Sequence, residues 1–540
     1  MRLSSTPGAG RPAALTRRAV LARIGAAGGS AAVFHAATAM GLLAAPALAR
    51  PFAMPPAPAN RRPKVAILGA GIGGLCAAYE LERAGYAVEV LEASHRIGGR
   101  NFTVRHGTVI DELGNRQVCA FDDAPHLYFN AGPARIPGAH RRLLHYCRTL
   151  GVALEPFINV NYNALVQDSA LNGGRPVMQR EFIADARGFM AELMAKAIEP
   201  ARIDTPLTEA DLERLHAYLR RYGDLDEALH YRGSDRAGYA RGGMLAPGVK
   251  KDTLDFRDLL QSQFSFFGMV FSQGEFQAPS LMQPVGGMDR IVTAFVRAIR
   301  TPIRTRAIVQ AIHNTAQGVE IRVSEPDGDR LVSADYCLNA IPGHLVQGLD
   351  TNFDAAYRAD IARITRGKLS KIGLQMRTRF WEDEGIYGGI SWTNDDVLQI
   401  WYPSHGAHEQ KGILLGAYIF FDEVNARVAR MSQAERLEMA LAAGEKLHPG
   451  QYRRNVETGV TICWHRMNHL LGCAGGVRDD QAALERLYQP HGRHYLIGDQ
   501  VSLHPGWQEG ALASTQQALN HIAEREAQTG GLVHVGRARP

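Results

Sequence analysis

Three glycines and one acid set the first chemical expectation. In Gly69-Ala-Gly71-Ile-Gly73-Gly74 the glycines at 69, 71 and 74 have G-x-G-x-x-G spacing, and Glu92 lies 21 residues beyond Gly71. Such glycines allow a tight turn and let main chain approach a pyrophosphate. The helix that follows offers N–H donors and the positive end of its dipole, and the distant acid accepts from adenosine ribose hydroxyls. Gly98-Gly99-Arg100 adds two more glycines and a guanidinium that can wrap a pyrophosphate and match its charge. Residue types and spacing therefore point to a bound dinucleotide. They do not separate FAD from NAD.

A turn of this kind needs a strand before it and a helix after it. Lys64-Val-Ala-Ile-Leu68 is a short apolar strand. Leu75 to Ala84 has helical spacing, with Leu75, Ala78 and Leu81 on one face and Gly85 at the stop. Tyr86 to Leu91 is the next strand and delivers Glu92 at its end. Further along, residues 140–240 read as mostly helical, with clear spacing in Phe182–Ala197 and Leu207–Leu229. Val309–Val323, Asp329–Asn339, Ser370–Met376 and Gly388–Tyr402 read as strands, and Ser432–Leu447 as a helix closed by Pro449-Gly450. A long helix is expected after Pro505-Gly506, ending near Ala527. The fold class is α/β with α+β insertions: a Rossmann-type nucleotide-binding domain, a mixed-sheet substrate domain and a helical insertion.

The stretch from Glu92-Ala to Gly98-Gly99-Arg100, taken with the preceding glycines, resembles the flavin-containing amine oxidase family. Within it the chain is most similar to the secreted L-amino acid oxidases, venom-type and bacterial. The resemblance spans almost all of the chain after the leader. Pro284-Val-Gly286-Gly287-Met288 and Asp335 to Pro342 resemble nucleotide-domain segments, and Val309 matches a strand residue whose main chain meets the adenine. Gly498-Asp499 and Pro505-Gly506-Trp507-Gln508-Glu509-Gly510-Ala511 resemble the C-terminal flavin segment. Asp499 stands where the family more often has Glu, and Gly510 and Ala511 open a helix aimed at the flavin. The resemblance implies FAD as cofactor, held by Gly69, Gly71, Gly73, Gly74, Glu92, Arg100, Val309, Asp499, Gly510 and Ala511.

On the substrate side, Gly132-Pro-Ala-Arg135-Ile-Pro137 resembles the segment whose arginine grips a substrate carboxylate, with Pro133-Ala134 departing from the usual Gly/Ala-Met. Ser370-Lys371 through Phe380-Trp381 and Gly388-Gly389 to Ile400-Trp401-Tyr402-Pro403 resembles the venom-type enzymes. This resemblance implies that Lys371 holds a water near the flavin and that Tyr402 shares the carboxylate with Arg135. Trp507 is then an aromatic wall and Gly506 a main-chain acceptor for the amino group, while Trp464 has no assigned role. The implied activity is oxidative deamination of a free L-amino acid, by hydride transfer to flavin N5, to the 2-oxo acid, ammonia and hydrogen peroxide. Dioxygen is the expected acceptor. Two alternatives stay open: an exported dehydrogenase that passes electrons to a quinone or carrier, and an oxidase of simple amines.

Charge separates the start of the chain from the rest. The net charge is +6, and the five arginines of residues 1–49, a stretch with no acid, account for all but one unit of it. No basic patch remains, which argues against a nucleic-acid partner. Arg17-Arg18, the weakly apolar run Ile24–Leu48 and Ala47-Leu48-Ala49 form a twin-arginine-type export signal rather than a permanent membrane span. A periplasmic or secreted location follows, with the export machinery as a transient partner. A homo-oligomer is expected from relatives. The six cysteines contain no CxxC pair and no metal site is expected; pairing of Cys463 with Cys473 is left open. The expected order is signal 1–49, linker 50–63, FAD-binding segments 64–139, 281–345 and 461–530, a helical insertion 140–280, a substrate domain 346–460 and a tail 531–540.

Overall fold

Five parallel strands carry the glycine turn. In the computed structural model, which describes residues 52–198, 207–477 and 479–529, Lys64–Leu68 is the central strand. It pairs with Ala87–Glu92 on one side and Tyr336–Asn339 on the other, and Ile303–Thr305 and His494–Leu496 form the edges. All four pairings are parallel. Such a sheet is covered on both faces, and Val65, Ala66, Ile67 and Leu68 are accordingly fully buried. The expected leader and tail lie outside the described residues.

The helix after the turn runs from Ile72 to Arg83, ending one residue before the expected stop, with Gly85 at φ +90°. Its approach to the sheet depends on Gly74, where a Cβ would lie 2.0 Å from the Gly69 carbonyl oxygen. The C-terminal helix, Gln508–Thr529, packs on the same helix, and the Thr515 hydroxyl donates to the Gly73 carbonyl at 3.3 Å. Residues from both ends of the chain thus meet over one end of the sheet.

A seven-stranded mixed sheet forms the second layer. Its strand order is Val177–Met178, Leu165–Gln167, Ile390–Thr393, Gln399–Trp401, Gly412–Ile419, Ser370–Met376 and Val456–Cys463. Here the structure corrects the reading of Gly388–Tyr402 as one strand. It is a hairpin whose turn places Leu398 at φ +57°. Val309–Val323 is likewise a hairpin, Ile308–Asn314 against Val319–Glu325, within a four-stranded sheet. Each segment carries a polar break, Thr393-Asn-Asp-Asp396 in one and His313-Asn-Thr-Ala-Gln-Gly318 in the other, and the chain turns there.

The insertion is helical over Gln179–Ala197 and Glu209–Gly223. Between residues 150 and 178, however, it contributes strands Leu154–Phe157, Leu165–Gln167 and Val177–Met178, so "mostly helical" holds for Arg141–Thr149, Gln179–Ala197 and Glu209–Gly223 and fails between the first two. Ser432 caps the helix Gln433–Leu447 through a capping box with Glu435, as its S-x-x-E spacing dictates. Among the described residues no helix is long and apolar enough to cross a membrane.

Candidate active site

A cavity of about 530 Å³ lies beside the glycine turn. Gly69, Gly71 and Gly73 line one end, together with Glu92 and Val309. The Glu92 carboxylate is buried and fixed by main chain: one oxygen accepts from the Ala70 N–H at 2.7 Å and the other from the Ser94 N–H at 2.9 Å. Burial raises its pKa and these two donors oppose the rise. The Gly98 N–H donates to the Ala70 carbonyl at 2.9 Å, so the second pair of glycines is tied directly to the first turn.

Arg100 and Asp499 both line the cavity, but they pair with each other. Arg100 Nη1 donates to Asp499 Oδ2 at 2.9 Å and Nη2 to Oδ1, a fork-to-fork ion pair that spans the chain from its first motif to its last. The Gly506 N–H also donates to Asp499, at 2.7 Å. A pyrophosphate contact was expected of Arg100 and a place in the flavin segment of Asp499; the structure pairs the two in one clasp on the cavity wall. Arg96, which sequence reasoning passed over, is a cation on this wall with no carboxylate at ion-pair distance among the described residues. It lines the cavity, burial pushes its pKa down to about 10, and its nearest polar contacts are main-chain carbonyls of Ile97 and Gly99. Its position inside the same Glu92–Arg100 motif was the available signal.

Two of the expected cofactor glycines do not line the cavity. Gly74 serves the helix–strand approach described above. At Gly510, in the first turn of the C-terminal helix, a Cβ would meet the Ser502 hydroxyl at 2.3 Å and the His504 carbonyl at 2.5 Å. Ala511 lines the cavity instead.

The other end is formed by Lys371, Tyr418, Trp464, Gly506 and Trp507. Lys371 projects from the buried strand Ser370–Met376, and its Nζ donates to the carbonyls of Gly132 at 2.6 Å and Asn130 at 3.3 Å. Burial pulls its pKa down to about 7, with Arg135 adding to the fall and Cys473 opposing it. The ring of Tyr418 lies beneath the ammonium, 4.5 Å from centroid to Nζ. Trp464 Nε1 donates to the Ala131 carbonyl at 2.9 Å. Cys473 is a free thiol on the cavity wall, and Cys463 is a free thiol beside His465.

Arg135 is not among the residues lining this cavity; it is buried in an aromatic recess that shares Trp507 with the wall. Its Cζ is 4.8 Å from the ring centroid of Trp401, 5.6 Å from Trp507 and 6.0 Å from Phe271. Nη2 donates to the Gln277 side-chain oxygen, while Nε is buried without a partner. Burial lowers its pKa to about 10, and no carboxylate lies at ion-pair distance among the described residues. His140 stands edge-on to Trp507 at 4.9 Å, its pKa pushed down to about 4 by burial with help from His504 and Arg135, and its Nε2 is also buried and unpartnered.

Tyr402 is not in this recess. Its hydroxyl bonds to the Ser391 hydroxyl at 2.8 Å and to His448 Nε2 at 2.6 Å, and its ring packs near Trp381 in the core. The reason is strand parity: consecutive residues point to opposite faces, and in this pair Trp401 faces Arg135. The phenol on the cavity side is that of Tyr418. Arg135 holds its pKa below where burial alone would put it, and its hydroxyl has no protein hydrogen-bond partner among the described residues.

A dinucleotide fits these residues. The glycine turn admits main-chain contact, Arg96 has no carboxylate at ion-pair distance among the described residues, and Asn101, which lines the cavity, keeps a buried Oδ1 without a partner. The chain is 26% identical to an L-amino-acid oxidase of Siganus canaliculatus over 477 residues, covering 86% of each chain. It is 27% identical to a flavin-dependent L-tryptophan oxidase of Lentzea aerocolonigenes over 491 residues, covering 85% of this chain and 98% of that one. Among solved structures, putrescine oxidase bound to putrescine matches with a TM-score of 0.58 at 18% identity, over 86% of this chain and 100% of that one. Cyclohexylamine oxidase from Brevibacterium oxydans matches with a TM-score of 0.56 at 19% identity, over 86% and 99%. At such identities the structures speak to the fold. Family membership rests on the sequence match over residues 72–522: this chain belongs to the flavin-containing amine oxidoreductase family.

Proposed function

We propose that the protein is an FAD-dependent L-amino acid oxidase. One observation carries the reading: Arg135 is a buried guanidinium walled by aromatic rings, with an unpartnered Nε and no acid beside it. A buried charge is costly unless something completes it. A carboxylate on the substrate is the group that does so, and a simple amine brings none. The names of the relatives from Siganus canaliculatus and Lentzea aerocolonigenes point the same way.

FAD would be held by Gly69, Gly71, Arg96 and Asn101 at its phosphates and Glu92 at its ribose, with Lys371 and Trp507 lining the reacting end. When bound it would supply a hydride acceptor for the substrate's α-carbon that dioxygen can reoxidise. The protein's part is to hold and to dry. Arg135 and the Tyr418 hydroxyl take the carboxylate, in place of the pair Arg135 and Tyr402. Trp507 and Trp401 confine the α-carbon, and the Gly506 carbonyl accepts from the amino group. Lys371, poised near neutrality, moves a proton or orients a water. No acid–base dyad is required. Residues 1–49 direct twin-arginine-type export to the periplasm or beyond.

Anaerobic flavin bleaching tests the reading. The purified holoenzyme is mixed with each of the twenty L-amino acids and with the matched decarboxylated amines. Reduction by at least one amino acid, faster than by its amine, is expected. Reduction by amines alone rejects the carboxylate site.

A further inference from the structure

We propose that Gln277 is a specificity-determining residue that occupies the carboxylate's place on Arg135 and yields it only to a charged acid; the inference rests on the L-amino acid reading above. Gln277 Oε1 accepts from Arg135 Nη2 and is the only side-chain acceptor on that guanidinium among the described residues. The Nε2 end of the same amide has no protein hydrogen-bond partner among them. The main chain beneath is pinned: the Gln277 N–H donates to the Gly274 carbonyl at 2.8 Å, and the Gln277 carbonyl accepts from Asn159 Nδ2 at 2.9 Å. The side chain can therefore turn while its anchor stays in place.

A carboxamide presents an acceptor at one end and two donors at the other. Toward a bare guanidinium it offers oxygen. Toward a carboxylate held by that guanidinium, a half-turn about its last side-chain bond offers N–H. Gln277 thus gives Arg135 one neutral acceptor in the empty site, leaving Nε bare, and gives the substrate's carboxylate a donor in the filled one. The exchange favours an anion, because a charge-assisted fork to arginine is stronger than a bond to a neutral amide oxygen. A simple amine brings nothing to displace the cap. An amino acid amide competes with Gln277 as one neutral acceptor against another and gains little. The free acid is selected over both.

Gln277→Glu makes the cap permanent by placing a carboxylate on Arg135 from within. Its counterpart is Gln277→Met, close in size and without charge. Each is purified as holoenzyme, with FAD content and Tm measured to establish folding. KM is read for the best L-amino acid and for its decarboxylated amine, and benzoate, a carboxylate without an amine, is titrated against the flavin absorbance. In Gln277→Glu the amino acid KM should rise about 30-fold or more and benzoate binding should weaken by a similar factor, while the amine KM stays within about threefold. Read also on the amide of the same amino acid, Gln277→Met removes the cap without adding charge, so the amide-to-acid KM ratio should narrow by about fivefold or more while the amine stays within about threefold of wild type. An unchanged amide-to-acid ratio in Gln277→Met, or an unchanged amino acid KM and benzoate titration in Gln277→Glu, overturns the proposal. A wild type reduced by amines and by no L-amino acid removes the reading beneath it, a result already visible before any variant is made.

Discussion

Glu92 is held entirely by main chain, by the N–H groups of Ala70 and Ser94, whereas Arg135 takes its surroundings from side chains at Phe271, Gln277, Trp401 and Trp507. The first arrangement is main chain from two turns, one N–H on each carboxylate oxygen, which leaves lone pairs for further donors. The second is assembled from side chains of distant segments and leaves a buried Nε without a partner. In the proposed reading, nucleotide binding is set mainly by backbone geometry, and substrate choice rests on a few side chains that can change without disturbing it.

The sharpest break of that comparison is Arg135→Ala. Loss of a desolvated partner for an ion costs about 2–5 kcal/mol, so kcat/KM for the preferred L-amino acid should fall roughly 30- to several thousand-fold. Turnover of the matched decarboxylated amine and FAD content should stay at wild-type levels. Stopped-flow reduction with both substrates measures it, and an equal loss on both makes Arg135 structural. On the other side, Gly74→Ala drives a Cβ into the Gly69 carbonyl. Overpacking of this kind costs about 1–3 kcal/mol, and it should appear as a lower Tm together with lost flavin. Glu92→Ala strips two buried N–H groups of their acceptor at about 1–3 kcal/mol and should weaken FAD retention without altering the amino acid to amine ratio in the fraction that keeps it.

Smaller effects sharpen the assignment inside the recess. Tyr418→Phe should raise the amino acid KM by a factor of about 5, on the order of 1 kcal/mol, and leave the amine alone. Tyr402→Phe should do the converse, lowering Tm through its lost bonds to Ser391 and His448 while the substrate ratio stays fixed. The smallest expected change is in pH response. Because burial lowers the Lys371 pKa to about 7, the lysine is charged on the acid side of that value and neutral above it. A cation there favours the build-up of negative charge as dioxygen is reduced. Reoxidation should be faster below about pH 7 than above it, and Lys371→Met should flatten the profile. A wild-type profile without an inflection there removes Lys371 from the oxygen step.

What could be read from the sequence follows the same division. Gly69, Gly71, Glu92 and Arg100 are legible because local main-chain geometry imposes their types and spacing. Gly74 is legible as a glycine but not in its role, since only the approach of helix to strand shows what it avoids. In the recess, resemblance reached Arg135 and Lys371 but chose Tyr402 over its neighbour Trp401. Which of two adjacent strand residues faces a site depends on register; Asn394-Asp395-Asp396 marks where the turn lies, but not which of Trp401 and Tyr402 it leaves facing Arg135. Tyr418 and Gln277 carried no signal: one lies on a strand read only from the structure, and the other matters through a single contact across the fold.

The clasp between Arg100 and Asp499 has a consequence in time. The central strand Lys64–Leu68 is among the first described segments to be synthesised, yet the cavity beside it is closed by residues up to Ala511. A nascent chain halted before residue 490 lacks the edge strand His494–Leu496, the arginine's partner and the C-terminal helix together. In the proposed reading, cofactor loading waits until residues as far as Ala511 have been made.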